Sequence, residues 1–317
     1  MRVIQDAVEY SEPPVFANNP VITIGNFDGV HKGHRALIQN AMNMAEKTGS
    51  PLVILTFWPH TGSLVANRSI GRIYTEDQKL ALLKEFAPEA EIVQLAFDDH
   101  LRQMPEDLFF SEILINRYHM RGLAVGENFR YGYLGTGDAK SLKKHCFEEG
   151  IPFEDVAGIC VNHRTVSSTW IRELLTEGNI EKANELLDRN YYAESIVQHG
   201  KHLGSTLGFP TANLLLPEGL TVPKHGVYLT KVWVPEGSFY GITNLGINPT
   251  VEHGNQIKIE THLLDYQGDL YGKTIRVEFL HFQREEQRFH NVEELKARVM
   301  LDIEQARHLI ESNGGNS

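Results

Sequence analysis

The chain has 317 residues, 41% apolar and 22% charged, a globular composition with room for about two domains. Asp and Glu number 41 against 30 Lys and Arg, a formal net charge of −11, which is not the basic footprint of a general nucleic-acid binder. The chain contains no run of about 18 apolar residues to read as a membrane span, and its two cysteines, Cys146 and Cys160, cannot build a disulfide framework.

Residues 21–24 read as a buried strand ending at Gly25. Leu37, Ala41, Met44 and Ala45 follow helical spacing, and Gly49 is a plausible stop. Residues 52–57 read as a strand, 76–86 as a helix, 92–95 as a strand, 108–118 as a helix and 123–126 as another buried strand. This alternation predicts a parallel sheet with helices on both faces. Residues 171–187 look helical and could carry the connection to the next domain. After about residue 190 the pattern changes. Residues 196–200, 227–234, 239–245, 257–264 and 274–282 read as strands, with Ile275, Val277 and Phe279 alternating with Arg276 and Glu278. Pro217-Glu218-Gly219 and Pro235-Glu236-Gly237 punctuate the gaps. The expectation is a mostly antiparallel barrel or sandwich, closed by one amphipathic helix through Val292, Leu295, Val299 and Ile303. The expected domains are 1–187 and 188–317. Residues 1–14 carry Asp6, Glu9 and Glu12 and lack a signal-peptide core, so the expected location is the cytoplasm, with no membrane or nucleic-acid partner.

The most informative segment is Gly25-Asn26-Phe27-Asp28-Gly29-Val30-His31-Lys32-Gly33-His34, between the first strand and the first helix. In an open α/β sheet, ligands bind at the carboxyl ends of strands, often at a helix N-terminus. Gly29 and Gly33 let the backbone approach a ligand, and His31 and His34 are spaced to aim at one ligand from one helical turn. Imidazole donors beside backbone N–H groups suit the oxygens of a polyphosphate. Two plainer readings stand beside this one: surface histidines at a helix start, or a zinc site shared with Cys160-x-x-His163, for which four ligands cannot be assembled. Downstream, Ser167-Ser168-Thr169-Trp170-Ile171-Arg172 opens a helical pattern. Its hydroxyls could simply be N-caps, but Arg172 one turn in could join them on an anion.

In the second half no P-loop occurs. Gly204 and Gly208 precede Phe209-Pro210-Thr211-Ala212-Asn213, either a turn between strands or a loop shaped around a ligand. Thr211 and Asn213 offer neutral oxygens of the kind Mg²⁺ accepts. Lys258, Glu260 and His262 share one face of a strand. Glu260 is either a solvated carboxylate or, if that face lines a cleft, a general base.

The His31-Lys32-Gly33-His34 motif with Ser167-Ser168-Thr169 and Arg172 resembles the nucleotidyltransferase superfamily. The longer string 25–34 narrows the resemblance to the bacterial bifunctional riboflavin kinase/FAD synthetases, RibF-type enzymes with FMN adenylyltransferase activity. So do Thr56-Phe57-Trp58-Pro59-His60, Val125-Gly126-Glu127-Asn128-Phe129-Arg130-Tyr131-Gly132, Gly208-Phe209-Pro210-Thr211-Ala212-Asn213, Asn248-Pro249-Thr250 and Ile259-Glu260-Thr261-His262-Leu263-Leu264-Asp265-Tyr266. The resemblance spans about residues 15–308.

It implies a nucleotidyltransferase-like, Rossmann-like N-terminal domain that transfers AMP from ATP to FMN. It implies a riboflavin-kinase-like β-barrel that phosphorylates riboflavin. In the first, His31 and His34 would hold the triphosphate, with Gly25, Phe27, Asp28 and Gly33 around the nucleotide. Ser168, Thr169 and Arg172 would contact phosphates, and Asn128 would lie near the flavin or nucleotide. In the second, Gly204, Gly208 and Pro210 would flank the nucleotide, and Thr211 and Asn213 would bind Mg²⁺. Glu260 would be the base and Arg284 would lie near the flavin. The implied partners are the small molecules ATP, riboflavin and FMN. The chain departs from the family pattern at Thr61, Gly135, Trp170, Ser205 and Asn248. Two other readings follow: a kinase with a weak or inactive adenylyltransferase half, and a flavin-sensing module without turnover. The intact Thr211, Asn213 and Glu260 speak against the latter.

Overall fold

The structure is a computed structural model that describes residues 2–59, 71–199, 209–250 and 254–314; side chains at 248–250, 254–255 and 313–314 are not described. The chain divides into two compact units, Met1–Ser168 and Thr169–Ser317.

The first unit carries a six-stranded sheet built from β1 (Val3–Asp6), β2 (Val21–Ile24), β3 (Leu52–Trp58), β4 (Glu91–Ala96), β5 (Gly122–Gly126) and β6 (Phe153–Val156). Their order is β1-β4-β3-β2-β5-β6, and every pairing is parallel. Parallel strands are covered on both faces, and β2 and β3 accordingly read as continuous apolar runs. The main helices are α1 (Lys32–Thr48), α2 (Glu76–Phe86), the short α3 (Asp99–Gln103) and α4 (Ala139–Glu148). Helix α1 packs on β2 and β5 through Leu37, Ile38, Ala41 and Ala45; Met44 lies at the margin of that face. From β2 the chain builds outward through β3 and β4, then returns to the other side of β2 with β5. The strand order reverses between β2 and β5, and that switch point positions the first site.

The helix expected over 108–118 is a π-helix, Phe109–Arg117. Its wide turn brings consecutive residues Arg117 and Tyr118 onto one buried carboxylate. Arg117 donates to Asp6 Oδ1 and Oδ2 at 2.6 and 2.9 Å, Tyr118 Oη to Oδ2 at 2.6 Å, and Ser11 Oγ to Oδ1 at 2.5 Å. This cluster ties β1 to the body of the unit.

The second unit opens with α5 (Ser168–Glu177), whose first residue belongs to the first unit, and α6 (Ile180–Leu187). The expected single helix over 171–187 is therefore two, interrupted at Gly178-Asn179, a pair of poor helix formers. Six antiparallel strands follow: β7 (Tyr191–Ile196), β8 (Ala212–Leu215), β9 (Gly226–Val234), β10 (Gly237–Thr250), β11 (Gly254–Leu263) and β12 (Thr274–Arg284). Their order is β7-β12-β9-β10-β11-β8. The two ends meet where Gln198 N–H donates to the Asn213 carbonyl at 2.8 Å, so the sheet curls into a nearly closed barrel. The strand expected over 196–200 lies earlier, because the buried pair Tyr191 and Tyr192 supplies the pairing surface against β12. The segment after Pro210, open between turn and ligand loop, is the strand β8.

Inside the barrel Thr230, Thr243 and Thr261 are fully buried and linked hydroxyl to hydroxyl at 2.8 and 2.9 Å. Helix α7 (Val292–Gly314) closes the unit, with Ala306 packed among Val227, Leu229, Ile242 and Leu264. It is anchored by Asp302, which accepts bidentate bonds from Arg284 and one from Arg298 at 3.1 Å.

Burial pushes the Asp6 carboxyl up, but the hydrogen bonds from Arg117, Ser11 and Tyr118 outweigh it and hold it below the ordinary carboxylate range. A depressed native value gives stability that is present above the unfolded value, near 3.8, and lost as pH falls through the native one. Asp6→Asn should therefore cost on the order of 3 kcal/mol at neutral pH and leave a shallower loss of stability in acid. Urea unfolding at neutral pH and at pH about 3 checks both, and unchanged stability at neutral pH would contradict the account.

Candidate active sites

The carboxyl end of β2 leads into a loop whose backbone is unusual. Phe27, Gly29 and Val30 have φ of 52°, 86° and 42°. A positive φ suits glycine, but at an aromatic and a β-branched residue it is a strained choice that persists only where the surroundings enforce it. Here Phe27 and Val30 are fully buried. Gly25 N–H extends the sheet by donating to Leu55 O at 3.1 Å. Asp28 is buried; its Oδ1 accepts from Ile73 N–H at 2.9 Å, and its carbonyl accepts from Ser168 Oγ at 2.8 Å.

His31 is the N-cap of α1, and its Nδ1 accepts from His34 N–H at 3.3 Å. That bond makes Nδ1 the acceptor, so in the neutral ring the proton is on Nε2, which becomes the donor nitrogen. The His34 ring stacks on His31 at 3.6 Å and meets the edge of Phe27 at 5.3 Å. A Cβ at Gly33 would lie 3.2 Å from His31 Cε1, so the absent side chain leaves room for this ring. The helix N-terminus, two imidazoles and the loop N–H groups come together at one corner, a set of donors that could hold an anion.

β5 is paired beside β2, Thr23 opposite Ala124, so its carboxyl-end loop is the neighbour of this one. Asn128 stands exposed there. Its loop is fixed by Glu127 Oε1, which accepts from Gly158 N–H at 3.0 Å, and by Phe129 N–H donating to Gly126 O at 2.9 Å. Ser168 reaches the loop through Asp28. Thr169 and Arg172, in the second unit, bond to each other at 3.3 Å. Trp170 is buried, and Gly135 sits in a short turn with φ 66°. Thr61, His60, Gly204, Ser205 and Gly208 lie outside the described residues.

The second unit assembles its polar residues by strand register. Asn213 on β8 stands opposite Glu260 on β11, and Glu260 stands opposite Asn244 on β10. Residues directly opposite in antiparallel strands share a face, so Asn213, Glu260 and Asn244 form one row. Asn213 is 7% exposed. Its Nδ2 donates to Thr211 O at 3.1 Å, which fixes the amide orientation, and its buried Oδ1 has no hydrogen-bond partner among the described residues. A buried, orphaned carbonyl oxygen two residues from the Thr211 hydroxyl in sequence fits a hard cation such as Mg²⁺.

The Glu260 carboxylate is half-buried and paired with Lys258, two residues away on its own face. His262 Nδ1 lies 3.0 Å from the Pro210 carbonyl and its ring meets Phe209 edge-on at 5.5 Å, which seats the segment before Thr211. A cleft of about 210 Å³ opens beside Thr211, lined also by Val197, Tyr266, Asp269 and Tyr271. Arg284, expected near the flavin, has its guanidinium on Asp302 and so also locks α7 to the barrel. Separately, in the first unit, Glu106, Asp107 and His145 place ligand atoms within 4.8 Å of one another, a set that could hold a metal ion.

Several residues escaped the sequence reading. Asn244 shows itself only through register. Lys79, 5% exposed, lies at hydrogen-bond distance from Thr56 and Glu76; its only trace in the sequence is the Thr75-x-x-Gln78 capping box beside it.

A family model for FAD synthetase matches residues 14–170, and one for riboflavin kinase matches residues 187–310. The bifunctional riboflavin kinase/FMN adenylyltransferase of Escherichia coli K12 is 35% identical over 309 residues, 97% of each chain. The protein of the same description from Haemophilus influenzae is 32% identical, covering 92% of this chain and 94% of its own. A solved structure described as a macrolide-efflux protein from Streptococcus pneumoniae superposes with a TM-score of 0.85 at 26% identity, over 96% of this chain and 99% of its own. In the present structure no helix among the described residues is long and apolar enough to cross a membrane. With near-complete coverage at this identity, and with both family models matched in order, the chain belongs to the bifunctional riboflavin kinase/FMN adenylyltransferase family.

Proposed function

We propose that this chain makes flavin cofactors in two ATP-dependent steps, phosphorylating riboflavin to FMN and adenylylating FMN to FAD. The observation that carries the reading is the pairing, in one chain, of two phosphate-handling residue sets of different architecture. One is an anion-binding corner at the switch point of a parallel sheet, the other a row of oxygens on a β-barrel face. The adenylyl step belongs to residues 1–187 and the kinase step to 188–317.

In the kinase step Glu260 accepts the proton of the ribityl primary hydroxyl as its oxygen attacks the γ-phosphorus and ADP departs. Lys258 holds the carboxylate in place. Thr211 and Asn213 would hold Mg²⁺, which when bound neutralises charge on the polyphosphate. The cleft beside Thr211 offers aromatic walls for a nucleobase.

Adenylyl transfer needs no nucleophile from the enzyme. A phosphate oxygen of FMN attacks the α-phosphorus, and the bond to pyrophosphate breaks. His31 Nε2–H and His34 donate to the phosphate oxygens as charge builds there, aided by the N-terminus of α1. Gly25, Phe27, Asp28 and Gly33 shape that corner. Ser168 adds a hydroxyl, and Thr169 and Arg172 supply the further phosphate contacts that the family motif implies. Asn128 and Arg284 are assigned to the flavin. Both cysteines are free, Cys146 buried and Cys160 exposed, which suits a reducing compartment and a cytoplasmic location.

Separate variants test the division of labour. Glu260→Ala should lower FMN formation by about a hundredfold or more and leave adenylylation of supplied FMN unchanged. His31→Ala combined with His34→Ala should do the reverse, with a loss of similar order. Chromatography of the flavin products reads both. Full kinase activity in the first variant would remove the base assignment, and undiminished FAD formation in the second would remove the phosphate role.

A further inference from the structure

One buried charged group in the first unit has no role in the steps described above. The Lys79 ammonium lies 2.7 Å from Glu76 Oε1 and donates to Thr56 Oγ1 at 3.2 Å. Glu76 Oε1 also accepts from Gln94 Nε2 at 2.8 Å, and Thr56 Oγ1 donates to the Asn26 carbonyl at 3.3 Å. Lys79, Thr56 and Gln94 are all buried. The chain of contacts runs from α2 and β4 through β3 into the strained loop after β2, at the carboxyl edge of the sheet where the phosphates are proposed to sit.

A buried ammonium is expensive, and replacing such an ion pair by apolar side chains is often no less stable. The group is therefore poor value as a structural prop. Its electrostatic setting suggests a use. Burial pushes the Lys79 amine down, while Glu76 and then Asp28 draw it back toward the charged form. Attraction between Lys79 and Asp28 is mutual, so the ammonium offsets a carboxylate buried inside the loop. A weaker offset strengthens the repulsion between Asp28 and an incoming polyphosphate, across a low-dielectric corner where screening by salt is weak.

We infer that Lys79 is a positioning residue for adenylyl transfer: through Thr56 it holds the Asn26 carbonyl, and its charge balances Asp28, so that the β2–α1 loop receives the ATP phosphates. The inference rests on the adenylyl-transfer reading of this unit. It predicts that the positive charge at position 79 matters for ATP and not for the kinase step. Lys79→Met removes the positive charge and should raise the KM for ATP in FAD formation roughly tenfold or more, with riboflavin phosphorylation in the same full-length protein unchanged. Lys79→Arg keeps a positive charge at that position and should stay within about threefold of the parent KM.

A cluster that merely props the fold would raise KM, or lose activity, in both variants. The inference is overturned if Lys79→Met stays within about twofold of the parent protein, or if Lys79→Arg raises KM as Lys79→Met does. Should Lys79→Met lose both activities through misfolding, Thr56→Val, which cuts the link to the Asn26 carbonyl, decides instead: a raised KM for ATP in FAD formation with riboflavin phosphorylation unchanged upholds the inference, and an unchanged KM overturns it. A parent protein that forms no FAD overturns the adenylyl reading and this inference together; one that forms FAD beside an unaffected Lys79→Met overturns the inference only.

Discussion

Phe27 and Val30 hold backbone conformations that cost of order 1–3 kcal/mol each, and the first unit is arranged to keep them there. Both side chains are buried in the core, so the loop cannot relax without exposing them. Asp28 is held between them by the Ile73 amide, and its carbonyl is held by Ser168. The loop backbone, rather than any single side chain, sets where α1 begins and therefore where His31 and His34 stand. A transferring phosphate gains most from donors already in place, because they need no reorganisation as charge develops. The strain is thus tied to the chemistry through preorganisation. The parallel sheet beneath makes this possible by reversing strand order beside the loop.

The second unit reaches a similar end by closure. The barrel has one short seam, at Gln198 and Asn213. Asn213 uses its carbonyl to close the barrel and its Nδ2 to fix the preceding turn, which leaves Oδ1 buried and aimed by both constraints. Register then carries Glu260 opposite it. The threonine ladder on the interior face fixes that register in turn, since Thr261 lies beside Glu260 in sequence and opposite Thr243 across the strands. A slip of one residue would exchange the two faces and move the carboxylate into the core.

Much of this was legible in the sequence, and the failures have physical causes. Apolar runs marked β2 to β5 and glycine-rich motifs marked the loops, because a strand buried on both faces and a loop that touches a ligand both demand unusual residues. β1 and β6 were missed. β1 ends in Asp6, whose charge is met by nearby Ser11 and by Arg117 and Tyr118, more than a hundred residues away. β6 is an acidic edge strand, Phe153–Val156, without an apolar pattern. α4 was missed as well, since its cue, the Asp138 and Ser141 capping box, is weaker than apolar periodicity. At the site, motif residues such as His31 and Glu260 stood out by type. Asn244 and Lys79 did not, because their positions follow from register and tertiary packing. Arg284 stood out by its motif position, and the structure adds a bond to Asp302 that the sequence did not show.

The most direct test of the two-step account is product analysis of the purified full-length protein, by chromatography. It would be supplied with Mg-ATP and either riboflavin or FMN, under air and under reducing conditions. The account predicts FMN and then FAD from riboflavin, and FAD from FMN. FMN from riboflavin with no FAD from either flavin would contradict it and leave a kinase joined to a first unit that does not transfer AMP.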